Sequence, residues 1–139
     1  MTYNPQKPRY TLPFADKDYE LEGSFGLIEA VEYALADNII SIAQSSLEMP
    51  VFKISRLLAA VFKQCGFDKK QPDIFETIVN DIGVASEEFA MLRFHIFAFL
   101  KICICKPSDR EQVAKDMGEM IGKLETPSVS PGENTSNSA

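Results

Sequence analysis

The chain has 139 residues, 45% of them hydrophobic, and a formal net charge of −6 at pH 7. This length allows one ordinary hydrophobic core and is too short for two comfortable domains, so a single domain is expected. Residues 1–48 hold eight acidic and three basic side chains, and no basic run occurs anywhere in the chain. Because binding to phosphates needs clustered cations, the composition argues against a nucleic-acid partner.

The predicted elements begin with a β-hairpin. Residues 1–8 contain two prolines and are predicted to form a flexible arm. Apolar and polar residues then alternate along two predicted strands, whose apolar positions are Tyr10, Leu12, Phe14, Tyr19 and Leu21. Residues 15–18 supply a polar turn between these strands. Pro13 has no N–H to donate, so the first strand is predicted to be an edge strand that favours self-association into a homo-oligomer.

Four helices are predicted next, each from apolar residues that recur three and four positions apart. The first helix repeats Phe25, Ile28, Val31 and Leu35 at helical spacing, with Glu29 and Glu32 pointing away. Ile39, Ile40, Ile42 and Leu47 indicate a short second helix that Met49-Pro50 closes. The third helix follows Pro50 and has the clearest amphipathic pattern, with inward positions Ile54, Leu57, Leu58, Val61, Phe62 and Cys65. The fourth starts near Pro72, and its stripe is Ile74, Phe75, Ile78, Val79 and Ile82.

Residues 86–105, SEEFAMLRFHIFAFLKICIC, form the most apolar segment and are predicted to be a central helix that the rest of the chain covers. Ser86 is a candidate N-cap, and the two glutamates after it suit the helix dipole. The alternative is a buried strand, because residues 102–105 alternate between Ile and Cys. The length of the segment and its capping favour the helix.

The polar residues of this central segment are Arg93, His95 and Lys101. At about 100° per residue they fall on three different sides of a helical wheel, so no solvent face remains. They also interrupt the run of roughly 20 apolar residues that a membrane span requires, so no membrane association is predicted. The first residues contain no apolar signal region, and a cytoplasmic location is expected.

A final helix is predicted after Pro107, where Ser108–Glu111 fits a capping box. Its apolar stripe consists of Val113, Met117, Met120, Ile121 and Leu124. Methionine is flexible and suits surfaces that accept varied apolar sequences, so this stripe is the predicted partner-binding surface. The alternative is that the stripe docks on the central helix. From residue 125 to 139 the chain is polar and is predicted to be disordered.

These patterns predict a mainly α fold, in which residues 9–124 form a compact single-domain bundle of five to six helices with an N-terminal β-hairpin. They contain no motif for catalysis, a cofactor or a metal. His95 is the only histidine and is predicted to be a packed core residue; His95→Leu should cost little unless the imidazole bridges buried groups. The three cysteines include no C-x-x-C pair, and reduced, buried thiols are expected. The chain is therefore predicted not to be an enzyme.

One segment of the chain resembles a known family. Residues 19–66 read YELEGSFGLIEAVEYALADNIISIAQSSLEMPVFKISRLLAAVFKQCG. This order of strand, acidic helix, short helix and amphipathic helix resembles the tail assembly chaperones of gene transfer agents and long-tailed phages, whose first helix has the form T-x-G-A-L-x-x-L-E. Ser24–Glu32 fills that pattern with Gly26 and Glu32 at the matching places, and Ile54–Val61 fills the third helix. The chain departs from the family by lacking a D-G turn.

The resemblance implies a non-enzymatic cytoplasmic protein without catalytic residues. Such a chaperone coats the tape measure protein until the tail tube subunits polymerise around it. The expected partner is therefore a tape measure or tail tube protein. The alternative hypothesis is a small cytoplasmic helical adaptor that binds another host protein. The genes beside this one would distinguish the two.

Overall fold

The computed structural model describes residues 7–125, apart from the side chain of Glu125. The predicted arm up to residue 6 and the predicted tail from residue 126 lie outside the described residues. The elements are β1 (Arg9–Phe14), β2 (Lys17–Glu22), α1 (Phe25–Leu35), α2 (Ile39–Ser45), α3 (Val51–Gln64), α4 (Gln71–Thr77), α5 (Glu87–Ile104) and α6 (Arg110–Glu125). The structure is 70% helical, which confirms the predicted mainly α bundle with an N-terminal hairpin.

The hairpin packs one face into the core. β1 and β2 are antiparallel, and Leu12 pairs with Tyr19 across the ladder. The apolar residues predicted to share one side are buried, except Tyr10, which is half-buried. The turn is shorter than predicted: it consists of Ala15 and Asp16 alone, because Lys17 already pairs with Phe14. The tight pairing follows from the positive φ angles of both turn residues, 53° and 66°.

This turn carries two residues that are poorly suited to it. A two-residue hairpin loop with φ > 0 at both positions favours Asn-Gly, since a Cβ is strained in that region. Ala15→Asn combined with Asp16→Gly is therefore expected to raise the free energy of unfolding by about 1 kcal/mol. Thermal melts of the double variant would measure this. An unchanged or lower melting temperature would show that Ala15, which packs against the core, contributes more than its backbone strain costs.

Ser24 is the N-cap of α1, and its Oγ accepts a hydrogen bond from the N–H of Leu27 at 3.0 Å. The buried residues of α1 are Leu27 and Val31. The prediction that Phe25 faces inward is wrong, because its side chain is 80% exposed. Leu27 follows Phe25 by two positions, which places the two side chains about 200° apart on the helix. Only one of the two can face the core.

α3 confirms the pattern predicted for it, with Ile54, Leu57, Leu58, Val61 and Phe62 buried. α4 packs beside α3 and continues into a π-helical turn, Ile78–Ile82. The stripe predicted for this segment is only partly buried. Ile74, Ile78 and Ile82 face the core, whereas Phe75 and Val79 are 38% and 42% exposed. The five apolar residues of this stripe span a wider arc of the helix surface than the packed helix α3 can cover.

α5 is the central helix, and nine of its residues are buried. The alternative of a strand at residues 102–105 is wrong, because the helix continues to Ile104. α5 lies against β1, α2 and α6 and against the 3₁₀ turn Ser46–Glu48. Of its polar residues, Arg93 donates a hydrogen bond from Nη1 to the carbonyl of Met49 at 3.2 Å, and Lys101 is exposed. Buried side chains from the hairpin and from α1 to α5 form one cluster, the main core.

The hairpin joins α1 at Gly23, which is buried. Its N–H donates to the carbonyl of Pro8 at 2.8 Å, and Pro8 is itself buried. A Cβ at Gly23 would lie 2.6 Å from Sγ of Cys103 and 2.7 Å from Cγ of Pro8. The position therefore has no room for a side chain, and the contact fixes the hairpin and the start of α1 against the end of α5.

Candidate functional site

The predicted partner-binding stripe lies on α6, which packs against α5. The five residues of the stripe are buried to different extents. Ile121 is buried at 7% exposure, whereas Val113 and Met117 are half-buried. Met120 and Leu124 are 45% and 48% exposed. The stripe thus docks on α5 along one row and leaves its edge at the surface.

α5 has a second buried face besides the one in the main core. Ala98 and Ile102 of α5 and Ile121 of α6 are all buried, yet none of them belongs to the main core. At about 100° per residue, Ala98 and Ile102 each lie more than 100° from the core residue Ile96. α6 is the helix that packs along α5 outside the main core. The second face of α5, Ala98 and Ile102, is therefore the one that α6 covers.

Two glycines lie inside the continuous helix α6. Gly118 and Gly122 are exposed, and a Cβ at either would meet no atom within 4 Å. Glycine inside a helix is less stable than alanine because it orders a freer backbone. Packing in the described structure therefore gives no reason for glycine at these two positions.

Large apolar side chains are exposed on other helices as well. Phe25 and Tyr33 of α1 are 80% and 90% exposed. They are eight residues apart, which places them within about 80° on one side of the helix and about 12 Å apart along its axis. The pattern of Leu27, Val31 and Leu35 at four-residue spacing could have shown from sequence that this opposite side faces outward.

α4 carries a groove of about 360 Å³, lined by Gln71, Pro72, Phe75, Glu76, Val79 and Asn80. Its apolar lining comes from the half of the α4 stripe that α3 leaves uncovered. The only charged residue of the lining is Glu76. No segment among residues 7–125 fills the groove, and its chemistry does not distinguish one apolar ligand from another.

His95 joins the hairpin to the central helix. Its Nδ1 and the hydroxyl of Tyr10 are 2.7 Å apart in a hydrogen bond, and the imidazole is 8% exposed. The ring also lines a cavity of about 300 Å³ between the hairpin turn and α5, together with Asp16, Asp18 and Glu88. No Ser, Thr or Cys lines this cavity as a nucleophile. Within residues 7–125, no group of three His, Cys, Asp or Glu side chains is placed to hold a metal ion.

The hydrogen bond to Tyr10 changes the expectation for His95. We expect His95→Leu to lower the free energy of unfolding by about 1 kcal/mol, because the imidazole bridges β1 and α5. A double-mutant cycle with Tyr10→Phe should give a coupling energy of similar size, since phenylalanine keeps the ring contacts of Tyr10 with His95 and Phe99. Denaturant unfolding of the four chains measures it. A coupling energy near zero would mean that the bond contributes nothing.

The expectation that the thiols are buried holds for Cys103 alone, since Cys65 and Cys105 are half-buried. Burial makes Cys103 and Cys65 poor nucleophiles. Desolvation raises the pKa of the Cys103 thiol to about 12, and it raises that of Cys65 as well. Cys103 should therefore resist thiolate-specific alkylation at neutral pH in the folded chain but not in denaturant. Between pH 9 and 12 the Cys103 thiol stays protonated in the folded chain but ionises in the unfolded chain. The free energy of unfolding therefore falls as the pH rises from about 9 to about 12. The Cys103→Ala variant should show a smaller fall in the free energy of unfolding over this pH range than the unmodified chain.

Family models, curated proteins and solved structures were all compared with the chain, and none of them matches it. No α-helix within residues 7–125 is long and apolar enough to cross a membrane. Among the described residues, large exposed apolar side chains lie on α1, α4 and α6, among other elements. The α1 face, defined here by Phe25 and Tyr33, is an exposed apolar surface that the sequence patterns did not predict.

Proposed function

We propose that the chain is a non-enzymatic tail assembly chaperone that binds the tape measure protein of a phage or gene transfer agent. The observation that supports a protein-binding role is the α1 face, where Phe25 and Tyr33 are among the most exposed large hydrophobic residues. Contiguous exposed apolar patches mark surfaces that bind other proteins; on α1 the exposed Glu29 lies between the two rings, so Phe25 and Tyr33 are two separate apolar anchors on one side of the helix. Aromatic residues are also enriched at such interfaces.

The α1 face is held in place from the opposite side of the helix. Leu27 and Val31 anchor α1 in the main core, and Ser24 caps its first turn. The two aromatic side chains therefore need little further ordering of the backbone when a partner binds. With anchors about 12 Å apart, the face suits a partner segment that presents apolar side chains about two helical turns apart.

The same helix carries the family resemblance. Ser24–Glu32, which fits the first-helix pattern of the tail chaperones, is the N-cap and first two turns of α1. The resemblance therefore supplies a candidate partner for the face that the geometry identifies. A tape measure protein is a long helical chain, so it offers many apolar segments of the required spacing.

A small helical adaptor that binds another host protein would use the same kind of surface. The neighbouring genes separate the two functions. Genes for a tail tube protein and a very long helical protein beside this one support the chaperone, whereas a neighbourhood without phage genes leaves the adaptor. Light scattering on the purified protein would test the self-association predicted from the hairpin edge.

Co-expression tests the chaperone function directly. The chain is produced with the long helical protein encoded beside it, and the soluble fraction of that protein is measured. We expect the partner to be soluble only in the presence of the chain. Phe25→Ser combined with Tyr33→Ser should reduce the soluble fraction by about tenfold, because both anchors of the α1 face are lost.

Lys53→Ser is the matched control, since Lys53 is an exposed residue of α3. It should leave the soluble fraction unchanged. Circular dichroism must show that the α1 variant is folded, which is expected because both side chains are exposed. A partner that remains insoluble with the unmodified chain would refute the chaperone function, and equal solubility with the α1 variant would exclude the α1 face.

A further inference from the structure

We propose that the second face of α5 is a docking surface for an amphipathic helix of a partner protein, and that α6 occupies it until the partner displaces α6. This surface, Ala98 and Ile102, is separate from the α1 face. The two surfaces lie on different helices, and docking on the second face of α5 requires only that the partner presents an amphipathic helix.

The structure shows what fits the surface, because a helix already lies on it. α6 packs along α5 and carries Val113, Met117 and Ile121 in one row at four-residue spacing, with Ile121 buried and the other two half-buried. Residues four apart form one row along a helix. A partner helix with apolar side chains at positions i, i+4 and i+8 presents the same row, which is the usual form of helix-in-groove recognition.

α6 is attached to the domain by few buried groups. Among its described residues only Ile121 is buried as a whole, and Nε of Arg110 is buried as well, whereas α3 buries six residues. α6 packs on α5 and on the preceding 3₁₀ turn, Pro107–Asp109, and on no other element to a comparable extent. Segments with few buried apolar contacts open at low free-energy cost. α6 can therefore leave while the main core stays intact.

The glycines of α6 also favour its release. Gly118 and Gly122 weaken the helix, and neither is needed for packing on α5, since a Cβ at either meets nothing. α5 ends at Ile104, and the 3₁₀ turn that starts at Pro107 separates it from α6, so release of α6 leaves the hydrogen bonds of α5 unchanged. Once released, α6 exposes Ala98 and Ile102, and an apolar partner helix removes them from water again.

The test uses the full chain and a labelled synthetic peptide with the sequence of residues 110–125, in which both glycines are replaced by alanine. Fluorescence anisotropy measures the affinity of this peptide for the unmodified chain and for each variant described below. Ile121→Ser, which weakens the docking of α6, should bind the peptide at least tenfold more tightly than the unmodified chain. Gly118→Ala combined with Gly122→Ala, which strengthens docking, should bind it about tenfold more weakly.

Two further variants make the result specific to this surface. Ile102→Glu places a charge on the second face of α5 and should abolish binding; Ile102→Ala is the milder form if that chain does not fold. Glu119→Ala, an exposed position of α6, should leave the affinity unchanged. Equal affinity for every variant, or no binding to the Ile121→Ser chain, would overturn the proposal. A chain dimer that excludes the peptide would make a second copy the occupant and would also overturn it.

Amide hydrogen exchange of the unmodified chain tests the release of α6 without any ligand. The amides of α6 should exchange at least a hundredfold faster than those of α5, and the double alanine variant should slow the exchange of α6 alone. Equal protection of α5 and α6 would show that the helix is a fixed part of the domain and would refute its release.

Discussion

Gly23→Ala is expected to lower the free energy of unfolding by about 3 kcal/mol, equivalent to a fall of about 10 °C in melting temperature. The added Cβ would lie 2.6 Å from Sγ of Cys103 and 2.7 Å from Cγ of Pro8. Both distances are far below van der Waals contact, so the hairpin and the end of α5 must move apart. Since Gly23 also donates to the carbonyl of Pro8, any shift strains that hydrogen bond.

Gly26→Ala provides the matched control, three residues further along the chain. Its Cβ would lie 3.4 Å from Oε1 of Gln64, the end of a flexible side chain. In the first turn of α1, alanine also favours the helix, so the stability should stay the same or rise slightly. Thermal melts of the two variants compare a glycine that packing requires with one that it does not.

Adding Cys103→Ala to Gly23→Ala should recover part of the loss, because it removes the nearest of the two clashing atoms. The double variant is then more stable than the sum of the two single changes predicts. If the Gly23→Ala variant has the same melting temperature as the unmodified chain, the hairpin does not pack against α5 as described.

Phe62→Ala is expected to lower the free energy of unfolding by about 4 kcal/mol. Phe62 is 0% exposed and lies in α3 directly beneath the hairpin. Its ring centroid is 4.9 Å from that of Tyr19 and 5.9 Å from that of Phe14. Truncation leaves a cavity between α3 and both strands, and the hairpin, which has only two strands, depends on this contact.

Phe52→Ala is the control for Phe62→Ala because both residues lie in α3. Phe52 is 46% exposed, and its ring contacts the guanidinium of Arg56 at the surface. Its removal should cost less than 1 kcal/mol. Denaturant unfolding of both variants gives the two free energies. A loss near 1 kcal/mol for Phe62 would mean that the hairpin closes the cavity by moving.

Elements with local signals could be predicted from the sequence. α3 is the clearest example, because its apolar residues recur at helical spacing and every one predicted to face inward is buried except Cys65, which is half-buried. The start of α5 is another. Ser86 accepts the hydrogen bond from the N–H of Phe89 at 3.0 Å that its position before two glutamates indicates. Both signals lie within a few residues of the structure they specify.

The faces of the other helices depend on neighbours that periodicity does not reveal. Phe25 has the spacing of an inward residue, yet Leu27 occupies the core because α3 approaches α1 from that side. The same holds for the α4 stripe, of which Phe75 and Val79 stay exposed. How wide a stripe is buried depends on the width of the partner surface, which is a property of the packed bundle.

Contacts between distant residues were decided by the tertiary structure alone. Tyr10 and His95 are 85 residues apart, and no sequence pattern relates a strand hydroxyl to an imidazole in the central helix. The close approach of Gly23 to Cys103 is likewise a contact between distant residues that no sequence pattern indicates. For α6, the sequence determined a helix with an apolar stripe, but its attachment to α5 through one buried side chain follows from how the bundle is closed. Local chain physics fixes the elements, whereas their mutual packing decides which apolar surface remains free to bind.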